Sequence, residues 1–142
     1  MTTLVLDAGD LFGNRTRNDR LQTEFLLKHT ESFGYDAIGL GERELNYGYD
    51  FLMEAIEKYH LPFTNANVRD AATGELLVPE FIVVEKQGIK FGICSVMDPS
   101  QRIISMSATD REYEIGDPVA TMRDLVPRLR EQCDTVVLLS HL

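Results

Sequence analysis

Acidic and imidazole side chains recur in this sequence just beyond short apolar runs. Leu4-Val5-Leu6 leads to Asp7 and Gly9-Asp10, Ala37-Ile38-Gly39-Leu40 to Gly41-Glu42-Arg43-Glu44, and Val136-Val137-Leu138-Leu139 to Ser140-His141. In an open α/β sheet, ligands gather beyond the carboxyl ends of the strands, so the three clusters are expected at one rim. Carboxylates and an imidazole meeting there suit a hard metal or a phosphate. Each signal is weak alone. An aspartate after a strand is a common turn former, alternating charges usually just solvate a loop, and a solitary histidine at a strand end often caps backbone groups. Repetition at strand after strand is what argues for a shared site. Asp7-x-x-Asp10 does not fit the Asp-x-Asp of a phosphotransferase nucleophile. Asn65 and Asn67 lie at the end of a third run, where amides bind phosphate or simply terminate a strand; His29 and His60 sit in helical segments and are assigned no role.

The elements that must position these clusters are legible as periodicities. Thr3 to Leu6 is a continuous apolar run, consistent with a buried strand. From Asp19, taken as N-cap, Leu21, Phe25, Leu26 and His29 follow helical spacing until Gly34. Tyr35 to Leu40 is the second strand and Tyr49 to Tyr59 the second helix, with Phe51, Leu52, Ala55, Ile56 and Tyr59 on one face. Phe63 to Val68 is a weaker strand. Glu80 to Glu85 and Ile89 to Met97 form a hairpin around Lys86-Gln87-Gly88. Residues 100–114 lack periodicity and are expected as an extended loop. Asp117-Pro118 starts the last helix, Asp as cap and Pro at its first position; Pro127 inside it should kink it or shift its start. Thr135 to Ser140 is the last strand. The expected fold is α/β: a mainly parallel sheet with flanking helices and one β-hairpin.

At 142 residues the chain is one domain's worth. A formal net charge of −9 argues against nonspecific binding to nucleic acid or anionic membranes, which needs a basic footprint. It also means that a polyanionic substrate requires a local positive centre, from a metal or a placed arginine. No apolar run approaches the ~18 residues of a membrane span, and no signal peptide is read, because a core strand follows Met1 almost at once. Cys94 and Cys133 form no CxxC and are expected as buried thiols, which leaves the compartment undefined.

Gly9-Asp10, Gly41-x-x-Glu44 with Asn46-Tyr47-Gly48, Asn65-Ala66-Asn67-Val68, Gly88-Ile89-Lys90-Phe91-Gly92 and Ser140-His141-Leu142 together resemble the successive landmarks of the calcineurin-like metallophosphoesterases, closest to the 5′-nucleotidase and UDP-sugar hydrolase branch. The resemblance runs over essentially the whole chain. It implies an α/β/β/α sandwich, of which residues 1–142 form one domain, truncated relative to the family. It implies a two-metal centre, of Mn, Zn or Fe, that holds a phosphate ester and activates water. Asp10 would bridge the metals and His141 would bind the second. Glu42 replaces the asparagine of the family's Gly-Asn-His-Glu motif, another ligand of the second metal. Arg43 replaces the histidine that assists the leaving group, and Asn46 the aspartate that orients that histidine. The family's opening Asp-x-His and closing Gly-His-x-His have no counterpart here.

Arg43 cannot act as a general acid near neutral pH, because a guanidinium keeps its proton; it can hold a phosphate electrostatically. Asp10, Glu42 and His141 remain as a three-ligand metal site with open positions. The expected function is that of a portion of a metal-dependent phosphoesterase, cleaving phosphate esters of nucleotides or nucleotide sugars in its parent protein and inactive as this chain. Two alternatives stay open: a non-catalytic relative that binds a metal, an anion or a protein partner, and a structural module with no site. An uncovered sheet edge is expected to favour a homodimer. Relatives are often periplasmic or extracellular, though nothing in this sequence directs export.

Overall fold

The apolar runs around the expected rim do become strands: the first two are shorter than expected, Leu6–Asp7 and Ala37–Gly39, while the third extends one residue further, to His141. The computed structural model describes residues 3–108 and 110–142. In chain order the elements are β1 (Leu6–Asp7), α1 (Arg17–Leu27), α2 (Thr30–Phe33), β2 (Ala37–Gly39), a 3-10 turn (Glu42–Leu45) and α3 (Tyr49–Tyr59). They continue with β3 (Phe63–Thr64), β4 (Val68–Asp70), β5 (Phe81–Lys86), β6 (Ile89–Met97), β7 (Tyr113–Ile115), α4 (Pro118–Arg130) and β8 (Thr135–His141).

Strands β1, β2 and β3 form a parallel sheet in that order, with Leu6 opposite Ala37 and Ile38 opposite Phe63. A second sheet has the order β5-β6-β8: β5 and β6 are the antiparallel hairpin, and β8 runs parallel to β6 with Met97 opposite His141. The two sheets lie face to face. Ala37 of β2, Ile93 of β6 and Leu139 of β8 share one buried cluster, flanked by Leu6, Phe91 and Val137. The outer face of the first sheet packs Ile38, Leu40 and Phe63 against Leu27 of α1 and Leu52 and Ala55 of α3. Beyond the second sheet, Leu125 and Leu129 of α4 bury Cys94. Period-two alternation explains the division, since Ile93 and Cys94 are neighbours on one strand and point to opposite faces. The result is helices, sheet, sheet, helix: the layered α/β arrangement expected above.

Three local expectations need correction. Phe63 to Val68 is not one strand. Asn65 Oδ1 accepts from the N–H groups of Asn67 and Val68, a side-chain turn that ends β3 and redirects the chain. The continuation, β4, then pairs antiparallel with β7, Val68 opposite Ile115. That strand lies where only loop is expected, because three residues are too few to display a period. Finally, α1 is capped by Thr16, whose hydroxyl accepts from Asp19 N–H, and it stops at Leu27; the four-residue α2 intervenes before Gly34 turns left-handed at φ 63°.

Most other local readings hold. Gln87 and Gly88 both have positive φ (54° and 79°), the two-residue hairpin turn. Asp117 caps α4 by accepting from Val119 and Ala120 N–H; Pro127 does not shift that start, and the helix runs from Pro118 through Pro127 to Arg130. Cys94 is buried as expected, whereas Cys133, also expected buried, is only half-buried; both are free thiols. Among the described residues no helix is long and apolar enough to cross a membrane.

Candidate metal centre

Two of the three polar clusters are brought together by a glutamate outside the expected ligand set. Glu44 is fully buried. Its Oε2 accepts from the backbone N–H of Gly41 (2.7 Å) and of Asp10 (3.0 Å), and its Oε1 from that of Phe12 (3.0 Å). One carboxylate thus ties the loop after β1 to the loop after β2, and both its oxygens are committed. The 3-10 turn supplies it: with Gly41 as N-cap, Glu44 is the third residue in, the position from which a glutamate reaches back to a cap N–H. That spacing, Gly41-x-x-Glu44, is the sequence signal for the clamp. Burial pushes the Glu44 carboxyl up to about 7, against the lowering effect of the three N–H donors.

Two glycines let the loops come this close. A Cβ on Gly9 (φ 109°) would stand 2.6 Å from the backbone nitrogen of Gly41. A Cβ on Gly41 would stand 2.5 Å from Oδ1 of Asp10. Asp10 itself is left-handed at φ 65°, a conformation that costs a non-glycine residue free energy unless its surroundings impose it. The Glu44 contact to Asp10 N–H is part of that imposition.

His141 arrives from the second sheet. It is the last residue of β8, and its carbonyl accepts from Asp98 N–H at 2.9 Å. Alternation places it on the same face as Val137 and Leu139, toward the first sheet. Its Nε2 lies 2.9 Å from Glu42 Oε2 and 3.6 Å from Asp10 Oδ1. One donor atom from each of Asp10, Glu42 and His141 falls within 4.8 Å of the others. The three side chains are each 20–25% exposed, shielded yet reachable from solvent.

Arg43 turns back onto the same carboxylate. Its Nε is 3.1 Å from Asp10 Oδ2, and its backbone N–H donates to Asp10 Oδ1 at 3.2 Å. Burial raises the Asp10 carboxyl above its usual range; the Arg43 N–H and the charges of His141 and Arg43 offset this only in part, and the Glu42 charge adds to it. Burial also pushes on Glu42, but its own backbone N–H and the His141 ring prevail and hold it below the usual range.

The other candidates separate from this cluster. Asn46 directs its amide away, donating from Nδ2 to Gly13 O at 3.0 Å. Asp7 accepts from Gly9 N–H and shapes the turn. Asn65 and Asn67 are buried structural amides, not phosphate ligands: Asn67 donates to Met97 O and Gly116 O and accepts from Met97 N–H. His29 places Nδ1 2.8 Å from Phe25 O, within its own helical segment.

No family model matches the chain. Individual proteins do, along nearly its whole length. The 2′,3′-cyclic-nucleotide 2′-phosphodiesterase/3′-nucleotidase of Salmonella typhimurium is 27% identical over 157 aligned positions, covering 98% of this chain and 24% of that protein. The 5′-nucleotidase of Vibrio vulnificus is 26% identical, covering 99% of this chain and 26% of the relative. This chain therefore spans about a quarter of the length of these relatives. Among solved structures, a 5′-nucleotidase precursor from Thermus thermophilus superposes with a TM-score of 0.80 at 25% identity, over 98% of this chain and 28% of that one. The calcineurin-like phosphoesterase YfkN of Bacillus subtilis gives 0.78 at 26% identity, over 98% of this chain and 48% of that one. By sequence and by fold, the chain is a homologue of the 5′-nucleotidases and nucleotide phosphoesterases, built on the calcineurin-like phosphoesterase fold.

Proposed function

We propose that this chain binds a phosphate ester of a nucleotide at the Asp10, Glu42 and His141 cluster, with one divalent cation, and that it does not itself turn the ester over. The observation that carries the reading is the convergence of three ligand-type atoms, from the ends of three separate strands, within 4.8 Å. Around an ion with bonds near 2.1 Å, neighbouring ligand atoms stand ~3.4 Å apart in a tetrahedral site. The 2.9 and 3.6 Å separations at His141 bracket that value. Two carboxylates and one imidazole suit Mn, Zn or Fe, and positions are left open for a phosphoryl oxygen or water. When bound, such a cation neutralises charge on a phosphoryl oxygen and acidifies a bound water.

The chain's own residues divide the remaining work. Arg43 offers a fixed positive charge beside Asp10, and a guanidinium can take two phosphoryl oxygens at once. It holds its proton throughout, so it orients an ester without protonating a leaving group. Asn46 supports the loop instead of the chemistry, through its bond to Gly13 O. The names of the relatives supply the substrate class, esters of nucleotides.

Calorimetry with Mn²⁺ tests the reading. The wild-type chain is expected to bind the ion, and Asp10→Ala or His141→Ala to lose it; a wild type that takes up none overturns the proposal. AMP and a chromogenic phosphodiester should remain uncleaved by the wild type. Measurable turnover on restoring Arg43→His together with Asn46→Asp would identify the lost acid as the missing step.

A further inference from the structure

Beside the cluster lies an open polar cavity of about 390 Å³ whose lining includes Arg15, Glu42, Arg43 and Arg102. Its size is within the range of small-molecule sites. Three arginines lining one cavity are unexpected in a chain with a formal charge of −9. The one carboxylate among them, Glu42, is engaged by His141. Arg43 gives Asp10 its Nε, and no ion pair among the described residues uses its terminal nitrogens. Neither Arg15 nor Arg102 has an ion-pair partner among the described residues, although the chain carries 23 acidic side chains to choose from.

The three arginines come from three loops, and each loop is pinned next to the arginine it carries. Before Arg15, Gly13 O accepts from the Asn46 amide and Asn14 O from the Tyr47 hydroxyl; after it, Thr16 caps α1. Before Arg102, Gln101 N–H donates to Asp98 O; after it, Ile103 packs against the main core cluster. Arg43 is fixed through its own N–H to Asp10. Arginines on anchored backbone, without ion-pair partners at their terminal nitrogens among the described residues and all lining one cavity, are an arrangement for a phosphate oxyanion.

The geometry points to a second phosphoryl subsite: this cavity takes a further phosphate group of the same molecule whose ester phosphate sits at the Asp10, Glu42 and His141 cluster. The ligand class is then a nucleotide carrying a second phosphate, in preference to a monophosphate. The inference rests on the function proposed above for the cluster and names the substrate class of that site.

Calorimetry on the full 142-residue chain tests it, with adenosine 3′,5′-bisphosphate and AMP as probes, each in Mn²⁺ and in EDTA. The bisphosphate is expected to bind at least about tenfold more tightly than AMP. Arg15→Ala and Arg102→Ala should each weaken the bisphosphate about tenfold, the scale of a lost charge-assisted pair, while AMP and Mn²⁺ binding stay within about twofold. Arg130→Ala, an equal charge change at the end of α4, should leave all three unaltered. Equal affinity for the two nucleotides, or equal losses for both in the arginine variants, overturns the subsite. If Mn²⁺ fails to bind yet arginine-dependent bisphosphate binding persists in EDTA, the cation reading alone falls and the subsite stands. If Mn²⁺ binds and no bisphosphate preference is seen, the subsite alone falls.

Discussion

Replacing Glu44 by glutamine isolates the clamp that holds the two loops together. The change alters almost no volume, so any loss belongs to hydrogen bonding. In the wild type one oxygen serves two N–H groups, those of Gly41 and Asp10, and the other serves Phe12. A glutamine can put its carbonyl oxygen on the two-donor side, which turns its NH₂ toward the Phe12 N–H. One buried backbone donor is then unsatisfied and faces another donor, at a cost of roughly 1–3 kcal/mol. Glu44→Ala would strand all three donors and open a void, and should cost clearly more.

Urea unfolding followed by circular dichroism measures the first number, since the chain has no tryptophan to report it. A loss of about 2 kcal/mol moves the midpoint by about 1 M for a small domain. Mn²⁺ calorimetry measures the second consequence. Asp10 is left-handed partly because Glu44 holds its N–H, so relaxing that bond should misplace the carboxylate and weaken the ion about tenfold, or ~1.4 kcal/mol. An unchanged midpoint would refute the hydrogen-bond argument. A lowered midpoint with unchanged Mn²⁺ affinity would refute the positioning argument and leave Glu44 a purely structural residue.

Gly41→Ala drives a methyl to 2.5 Å from Asp10 Oδ1; overpacking of this kind costs about 1–3 kcal/mol, and Mn²⁺ binding should fall below detection in calorimetry of the folded variant. Calorimetric titration of the wild type should saturate at one Mn²⁺ per chain, two tight equivalents being the contrary result. Stability should fall in acid through Asp70, whose carboxyl Arg111 and the N–H groups of Ala72 and Thr73 hold below the usual 3.8. A depressed carboxylate stabilises above its unfolded value and loses that contribution as pH drops through its folded one. The loss therefore begins below about pH 4, and Asp70→Asn should flatten the acid limb of a urea-midpoint profile. Iodoacetamide should label half-buried Cys133 well before Cys94, whose thiol burial raises to about 11; equal rates in intact protein would contradict the buried placement.

The parts of the fold that the sequence declared were those with a long period or an unambiguous cap. Helix α3 has both an apolar face and a sharp end, and its observed bounds coincide with the expected ones. The hairpin was announced by its glycine turn, and α4 by Asp117-Pro118. What stayed hidden was made of two- and three-residue strands. Their pairing partners lie tens of residues away, as for Val68 and Ile115, and no local pattern encodes such a partner. The same distinction governs the site. Asp10, Glu42 and His141 were recognisable because each follows an apolar run, whereas Arg15 and Arg102 sit in loops without any period and look like ordinary solvated charges. Asn65 and Asn67 were ambiguous for the opposite reason: amides at a strand end suit a ligand or a chain turn equally, and only their partners, the backbone of β6 and the neighbouring turn, decide for the second.

The pairing of Arg43 with Asp10 explains how binding and turnover can come apart in a homologue of hydrolytic enzymes. Asp10 has two oxygens to offer: Oδ1 faces His141 and accepts the Arg43 N–H, while Oδ2 takes the Arg43 guanidinium. A cation approaching from the Oδ2 side would meet that guanidinium. Two unit charges 4 Å apart repel by about 4 kcal/mol at the effective dielectric of a protein surface, and a divalent ion doubles the figure. Moving Arg43 aside would cost its contact with Asp10 as well. On the proposed reading, the centre therefore holds one exchangeable cation and one permanent, covalently attached cation. Both attract phosphate. Only a group able to give up a proton can also help an alkoxide leave, and a guanidinium cannot, so on this proposal the arginine keeps affinity for the ester while lacking a step needed to cleave it.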